Sequence, residues 1–337
     1  MRDDWLGRVY YVEEQVRFNM HIFDRLHQAC IVPVVVLEDA ANALPTAKAL
    51  LAGGIDVMEI TFRTAAAADA IRSVAERCSE MMVGAGTIVT LEQCKYVVEC
   101  GAKFIVSPGF NTKVVDWCIE NSIPVLPGCV TPTEIMAAMD RGLRLVKFFP
   151  ANIYGGLSGI KALSGPFESI KFIPTGGVSA ENIAEYMASS LVHAVGGSWL
   201  CSKTDIDARE FKKISNLCIE ARKQALGYEI IHMGINTADA DASDALCRKF
   251  KEAFDIPIYE GTSSSFVSNY IEVMKFPYLG KNGHIAIRTN RISAAIADLE
   301  KKGFVMDWKS AKYKKEKLTA VYLKDNFGGF AVHLLQK

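Results

Sequence analysis

The sequence predicts an α/β protein, a (β/α)8 barrel followed by a smaller α+β domain of paired βαβββ units. Two observations predict the barrel. From Ile31 to about Ala225, short apolar runs alternate with helix-like segments, the rhythm of parallel strands joined by helices. The runs number eight, which at about 200 residues fits the small end of the barrel size range. A third observation predicts the appended domain: after Leu226 the order changes to strand, helix, strands, and then repeats.

Taken in order, the barrel strands are expected over Ile31 to Leu37, Val57 to Arg63, Met81 to Thr87, Lys103 to Pro108, Pro124 to Pro127, Leu145 to Pro150, Lys171 to Thr175 and His193 to Gly197. Amphipathic helices are expected over Ala40 to Ala52, Ala65 to Cys78, Leu91 to Cys100 and Pro132 to Arg141, several opened by an Asp, Asn or Thr suited to capping. In the tail, Tyr228 to Thr237 reads as strand, Ser243 to Phe254 as helix and Phe266 to Phe276 as strand; Gly283 to Thr289, Ser293 to Lys302 and Ala320 to Leu335 repeat the order. The expected boundaries are an N-terminal extension over 1–23, the barrel over 24–226 and the second domain over 227–337. The extension is expected to be an appended helix or poorly ordered, with Met20 a candidate natural start.

Composition narrows the function. The chain has 337 residues, half of them hydrophobic, ample for two cores. Thirty-eight Lys and Arg balance 38 Asp and Glu, which removes the basic excess that a nucleic-acid-binding surface needs. No apolar stretch reaches the length of a membrane span, and the acidic amino terminus lacks a signal-peptide pattern, so a cytoplasmic protein is expected. Nine scattered cysteines without a Cys-x-x-Cys pair read as reduced core thiols; only Cys129, beside a Pro-Gly turn, has a position that suggests more than packing.

In a barrel of this kind, chemistry sits where strands end. Alternation along Val57 to Arg63 turns Met58, Ile60 and Phe62 toward the helices and leaves Glu59, Thr61 and Arg63 inside. The same logic points Lys147 inward from Leu145 to Pro150. Burying a lysine disfavours its ammonium form and leaves a neutral amine that can attack a carbonyl; the alternative is a core ion pair with a buried carboxylate. Glycine pairs after the seventh and eighth strands, Gly176-Gly177 and Gly196-Gly197, suit phosphate binding through backbone N–H groups, the alternative being ordinary tight turns.

These residues, with Ile31-Val32-Pro33-Val34, Glu59 through Thr64, Val83-Gly84-Ala85-Gly86-Thr87, Ser107-Pro108-Gly109, Pro127-Gly128, Thr131-Pro132-Thr133-Glu134, Lys147-Phe148-Phe149-Pro150, Pro174-Thr175-Gly176-Gly177 and Gly196-Gly197-Ser198-Trp199 in order, make the chain resemble 2-keto-3-deoxy-6-phosphogluconate/2-keto-4-hydroxyglutarate aldolases, class I pyruvate aldolases. The resemblance spans about residues 24 to 225. It implies that Lys147 forms a Schiff base with the substrate ketone and that Glu59 moves protons. Arg63 and Thr87 would hold the pyruvoyl carboxylate, Gly176, Gly177, Gly197 and Ser198 the distal phosphate, and Pro108 and Thr175 would line the pocket. The implied partners are small keto acids, without a cofactor for the aldol step, in a homo-oligomer, usually a trimer. Two departures stand out: Val36-Leu37 occupies a position where some relatives carry an arginine, and Ala151-Asn152-Ile153-Tyr154 varies between members. A phosphate-binding isomerase or synthase, and a metabolite sensor with an inactive barrel, are the alternatives.

The tail resembles the vicinal-oxygen-chelate superfamily of glyoxalase I. That resemblance implies a divalent metal held by His232, Glu272, His284 and His333, the last where glyoxalases usually carry glutamate. Such donors suit Zn, Ni, Fe or Mn, whereas the alternative is ordinary strand residues. The tail could then be a second enzyme, a ligand sensor or an oligomerisation domain. The run with Lys309, Lys312, Lys314, Lys315 and Lys317 reads as a solvated hairpin rather than an anion site.

Overall fold

The computed structural model describes residues 22–337, so the expectations for the first 21 residues lie outside it. Residues 22 and 23, assigned above to the extension, instead belong to a helix over 22–29, α1. The chain divides into two compact units, one ending at Ala225 and the other running from Leu226 to Lys337.

The first unit is an α/β barrel. Its strands are β1 Ile31–Val35, β2 Val57–Thr61, β3 Met82–Gly86, β4 Ile105–Val106, β5 Val125–Leu126, β6 Leu145–Phe148, β7 Lys171–Pro174 and β8 Val195–Gly197. Parallel pairing runs β5-β4-β3-β2-β1-β8, with β6-β7 as a separate pair. Single bridges join the two runs: Lys147 N donates to Pro127 O and His193 N to Phe172 O, at 2.9 and 2.8 Å. The ring is therefore closed, although several strands are only a few residues long. All eight expected strands occur, but most end earlier than expected. Val36, Leu37, Phe62, Arg63 and Thr87 leave the ladder to build loops, because the strand ends of a barrel carry its site.

Local chemistry explains the helix starts. Thr90 opens α4 (Leu91–Glu99) in a reciprocal capping box with Gln93, and Thr131 opens α6 (Pro132–Asp140) in another with Glu134. Asn111 accepts from the N–H groups of Lys113 and Val114 at the start of α5 (Thr112–Glu120). The helix expected from Ala40 begins as a short 3-10 turn, Ala40–Asn42, capped by Asp39, and becomes α2 at Ala43–Ala52; α3 covers Ala67–Arg77. Met58 and Ile60 are fully buried behind β2, as the alternation requires.

The second unit carries one eight-stranded sheet. Its first half is β9 Glu229–Asn236, α7 Ala240–Phe254, β10 Ile258–Glu260, β11 Ser264–Val267 and β12 Ile271–Met274. Its second half is β13 Gly283–Thr289, α8 Ile292–Lys301, β14 Met306–Lys314, β15 Lys317–Phe327 and β16 Phe330–Gln336. Each half is a βαβββ unit, and the strands lie in the order β10-β11-β12-β9-β13-β16-β15-β14. The expected strand Phe266 to Phe276 is instead the hairpin β11–β12, turned through Ser268 with a left-handed φ of 58°. β10 is not among the expected strands, because its residues are mostly exposed and lack an apolar run, and β14 is foreshadowed only as one arm of the lysine-rich hairpin. The lysine-rich run lies on the β14–β15 hairpin, whose turn residues Lys315 and Glu316 both have positive φ. Cys247, Val267 and Val273 form a core between α7 and the first half of the sheet, with Leu246 and Phe250 against them.

Candidate active site and a second polar cluster

Polar side chains inside fully buried strands must meet one another, and they do. Lys147 Nζ donates to Glu59 Oε1 at 3.3 Å, with the two residues 6% and 3% exposed. At that burial, removing either partner leaves an uncompensated charge, so the pair is retained only where it has work to do or excellent geometry. Gly86 on the adjacent strand makes the carboxylate's place: a Cβ there would lie 2.0 Å from Glu59 Oε1. The Lys147 ammonium also lies 5.4 Å from the Phe149 ring centroid.

Beside the pair is a cavity of about 210 Å³ lined by Val34, Val36, Arg63, Lys147, Phe149, Thr175, Gly176, Gly177, Val178, Gly196 and Ser198. Arg63 Nε donates to Thr87 Oγ1 at 3.1 Å. Thr87 holds that position with a φ of 61°, uncommon for a β-branched residue. Thr61 is turned to the Val35 carbonyl instead of the cavity.

The glycine loop on the far side is fixed from below. Gly176 and Gly177 adopt φ of 89° and 76°, open to glycine at no steric penalty. Asn182 holds the loop by donating to Gly177 O at 2.8 Å and accepting from Ser179 N at 3.0 Å. Gly196 is required by contact as well, since a Cβ there would sit 2.2 Å from Thr175 Oγ1.

Of the residues expected at this site, Lys147, Arg63, Thr175, Gly176, Gly177 and Ser198 share the cavity, with Glu59 on Lys147 and Thr87 on Arg63. Gly197 packs under Trp199, where a Cβ would meet the indole at 2.0 Å. Neither Gly197 nor Pro108 is among the residues lining this cavity; the Pro108 carbonyl is packed against Gly128, leaving no room for a Cβ there. Sequence reasoning missed Phe149, Val178, Gly86 and Asn182. Only Gly86 carried a usable signal, a strand glycine marking close approach by another group. Cys129 is an ordinary packing residue, its thiol pushed up to about 12 by burial and by Glu134.

The second unit gathers its own cluster. Pairing of β9 with β12 and β13 sets Glu272 and His284 against Gly234, and β13 against β16 sets Ala286 beside His333. His232, His284 and His333 each offer a nitrogen within 4.8 Å of the others. Glu272 Oε2 lies 3.2 Å from His232 Nε2 and 3.1 Å from His284 Nε2, while Ser264 donates to its other oxygen at 2.5 Å. Burial pushes the Glu272 carboxyl up, yet the hydrogen bonds from His232, His284 and Ser264 outweigh it and hold the carboxyl well below its ordinary value. Burial, and then the neighbouring imidazoles of His284 and His232, push His333 down to about 3. Tyr322 stacks on His333 with ring centroids 4.6 Å apart. Gly234 gives way to the His284 ring, which a Cβ would meet at 2.1 Å.

Comparison with known proteins identifies the first unit. Residues 22–217 match the family model described as KDPG and KHG aldolase, and the chain belongs to that family. It is 43% identical over 196 residues to the 2-dehydro-3-deoxy-phosphogluconate aldolase of Treponema pallidum, covering 58% of this chain and 93% of that protein. It is likewise 43% identical over 191 residues to the KHG/KDPG aldolase of Escherichia coli K12, covering 57% of this chain and 90% of that one. Among solved structures it is similar to KDPG aldolase from Legionella pneumophila, with pyruvate captured at low pH as a covalent carbinolamine intermediate. That likeness has a TM-score of 0.58 and 36% identity, and covers 59% of this chain and 97% of the other. Among the described residues, no helix is long and apolar enough to cross a membrane.

Proposed function

We propose that the barrel unit is a class I aldolase, a lyase that cleaves 2-keto-3-deoxy-6-phosphogluconate to pyruvate and glyceraldehyde 3-phosphate, or 2-keto-4-hydroxyglutarate to pyruvate and glyoxylate, or both. The observation that carries this is the buried Lys147–Glu59 pair at 3.3 Å beside a cavity with Arg63 on one side and a glycine loop on the other. Family membership supports it, and so does the covalent capture of pyruvate in the L. pneumophila relative.

Lys147 in its neutral form attacks the keto carbon, water leaves, and the cationic iminium becomes an electron sink for the bond between carbons 3 and 4. Glu59 removes the proton from the carbon-4 hydroxyl, directly or through a water; the bond breaks and the aldehyde departs. The enamine takes a proton at carbon 3, and hydrolysis of the iminium returns pyruvate and the free lysine. The iminium is itself the electron sink that a metal-polarised carbonyl would otherwise provide, so this sequence calls for no cofactor. Arg63, oriented by Thr87, pairs with the substrate carboxylate, and the Gly176-Gly177 loop with Ser198 receives the distal anion. Borohydride reduction in the presence of pyruvate, followed by peptide mapping, is the test. An adduct on Lys147 that disappears in Lys147→Ala supports the mechanism; a folded wild type without an adduct overturns it.

A second reading concerns the other unit. We infer that His232, Glu272, His284 and His333 hold a divalent metal in a domain of vicinal-oxygen-chelate type. Three imidazoles within 4.8 Å of one another, with the Glu272 carboxylate against two of them, suit Zn, Ni, Fe or Mn, and the buried His333 Nε2 has no hydrogen-bond partner among the described residues. When bound, such an ion supplies Lewis-acid polarisation. Ser264 would keep the Glu272 carboxylate turned toward it. Elemental analysis of the purified chain and of Glu272→Ala checks this: metal should accompany the first and be depleted in the second.

A further inference from the structure

We propose that Cys94 and Cys118 form a redox site in the helical shell of the barrel, which a peroxide converts into a disulfide joining α4 to α5. Their sulfurs are 3.5 Å apart, and both residues are fully buried. A disulfide needs about 2.05 Å between sulfurs, so the pair must close by about 1.5 Å. The two residues come from neighbouring βα units, 24 positions apart, so the contact is a product of packing rather than of local sequence.

The pair differs chemically from the other buried thiols. The sulfurs share a hydrogen bond in which either can be the donor, and it holds the Cys94 thiol below its ordinary value despite burial. Burial instead pushes Cys218 up to about 12. Either sulfur can attack. With Cys94 attacking, its thiolate takes one oxygen of the peroxide, the O–O bond breaks, and hydroxide, protonated to water, leaves a sulfenic acid on Cys94. The Cys118 sulfur then attacks that sulfur, the S–O bond breaks, and a second water leaves with the Cys118 proton. Two thiols and one peroxide become one disulfide and two waters. The peroxide is the oxidant.

The link would close a loop that contains β4 and the turn leading to α5. Asn111, the cap of α5, already donates to Val89 O just ahead of α4, at 2.9 Å. Val89 lies two residues after Thr87, the partner of Arg63. The disulfide would therefore pin the two loops on the carboxylate side of the cavity from behind. Its formation stabilises the fold chiefly by restricting the unfolded chain.

The test is treatment of the native, fully reduced chain with hydrogen peroxide, followed by alkylation under denaturing conditions, intact mass and peptide mapping. The expected result is a loss of two hydrogens, a cross-linked peptide pair containing Cys94 and Cys118, and a melting temperature raised by a few degrees and restored by dithiothreitol. Cys94→Ser and Cys118→Ser should each lack the cross-link and the rise. Over-oxidation of Cys94 or Cys118 to sulfinic acid without a link, a disulfide between other cysteines, or reduced thiols throughout overturns the proposal. The wild-type map alone decides the matter if either variant fails to fold.

Discussion

The two units bury ionisable groups in opposite settings. In the barrel, β1, β2 and β3 are buried along their whole length, so any charged residue on them is out of place unless it has a partner and a task. Glu59 and Lys147 are such residues, the latter on the equally buried β6, and they stand out in the sequence. In the second unit, β9 is largely exposed or half-buried, and polar residues on it are the rule. His232 is inconspicuous there; only its meeting with Glu272, His284 and His333 makes it a site. A polar residue is therefore informative in proportion to how apolar its surroundings must be.

That contrast can be broken most directly at Lys147. Lys147→Ala should abolish borohydride-trappable pyruvate and lower turnover by at least about a thousandfold, as expected for loss of a covalent nucleophile; turnover near the wild-type level in a folded variant would place the chemistry elsewhere. Gly86→Ala tests whether the site depends on space as much as on charge. Its Cβ would fall 2.0 Å from Glu59 Oε1, and displacing that carboxylate by about 1 Å should lower kcat roughly a hundredfold. An unchanged kcat would show that Glu59 is free to move.

In the second unit, His284→Ala should weaken binding of zinc at least about a hundredfold, read by calorimetry with circular dichroism as the folding control. Equal binding in wild type and variant would return His284 to the status of a strand residue. The smallest effect is expected at a helix start. Glu134 accepts from Val130 N, Thr131 N and the Thr131 hydroxyl, and Glu134→Ala should cost about 1 kcal/mol of stability at neutral pH. Burial raises the Glu134 carboxyl, but these bonds bring it below its ordinary 4.5. The contribution is therefore present above the unfolded value and is lost as pH falls through the lower folded one, so wild type and variant should converge in acid-unfolding curves.

Much of the barrel was legible because its period is simple. Each strand is an apolar run, each helix is amphipathic, and capping residues such as Thr90 and Thr131 mark the starts. The inward direction of Glu59 and Lys147 followed from alternation alone. For Pro108 the motif says which loop the residue occupies but not which way that loop packs; here its carbonyl is turned onto Gly128. Phe149 and Asn182 were not legible either, because nothing local reveals that one will lie beneath an ammonium and the other will hold a glycine loop. In the second unit, β10 escaped notice and β14 showed only as one arm of the lysine-rich hairpin, because exposed strands carry little hydrophobic signal, and the β11–β12 hairpin was hidden inside what looked like one run.

By itself, the sequence determined the alternation of strands and helices in the first unit, the change of order after Leu226, and the residues able to do carbonyl chemistry; each depends on periodicity or side-chain type, which are local properties. Only the tertiary structure decided that Glu59 reaches Lys147 across 88 positions, that Cys94 meets Cys118, and that three histidines from three strands converge. Those are distances between groups far apart in the chain, and they are set by ring closure and sheet register, quantities that arise only when all the elements pack at once.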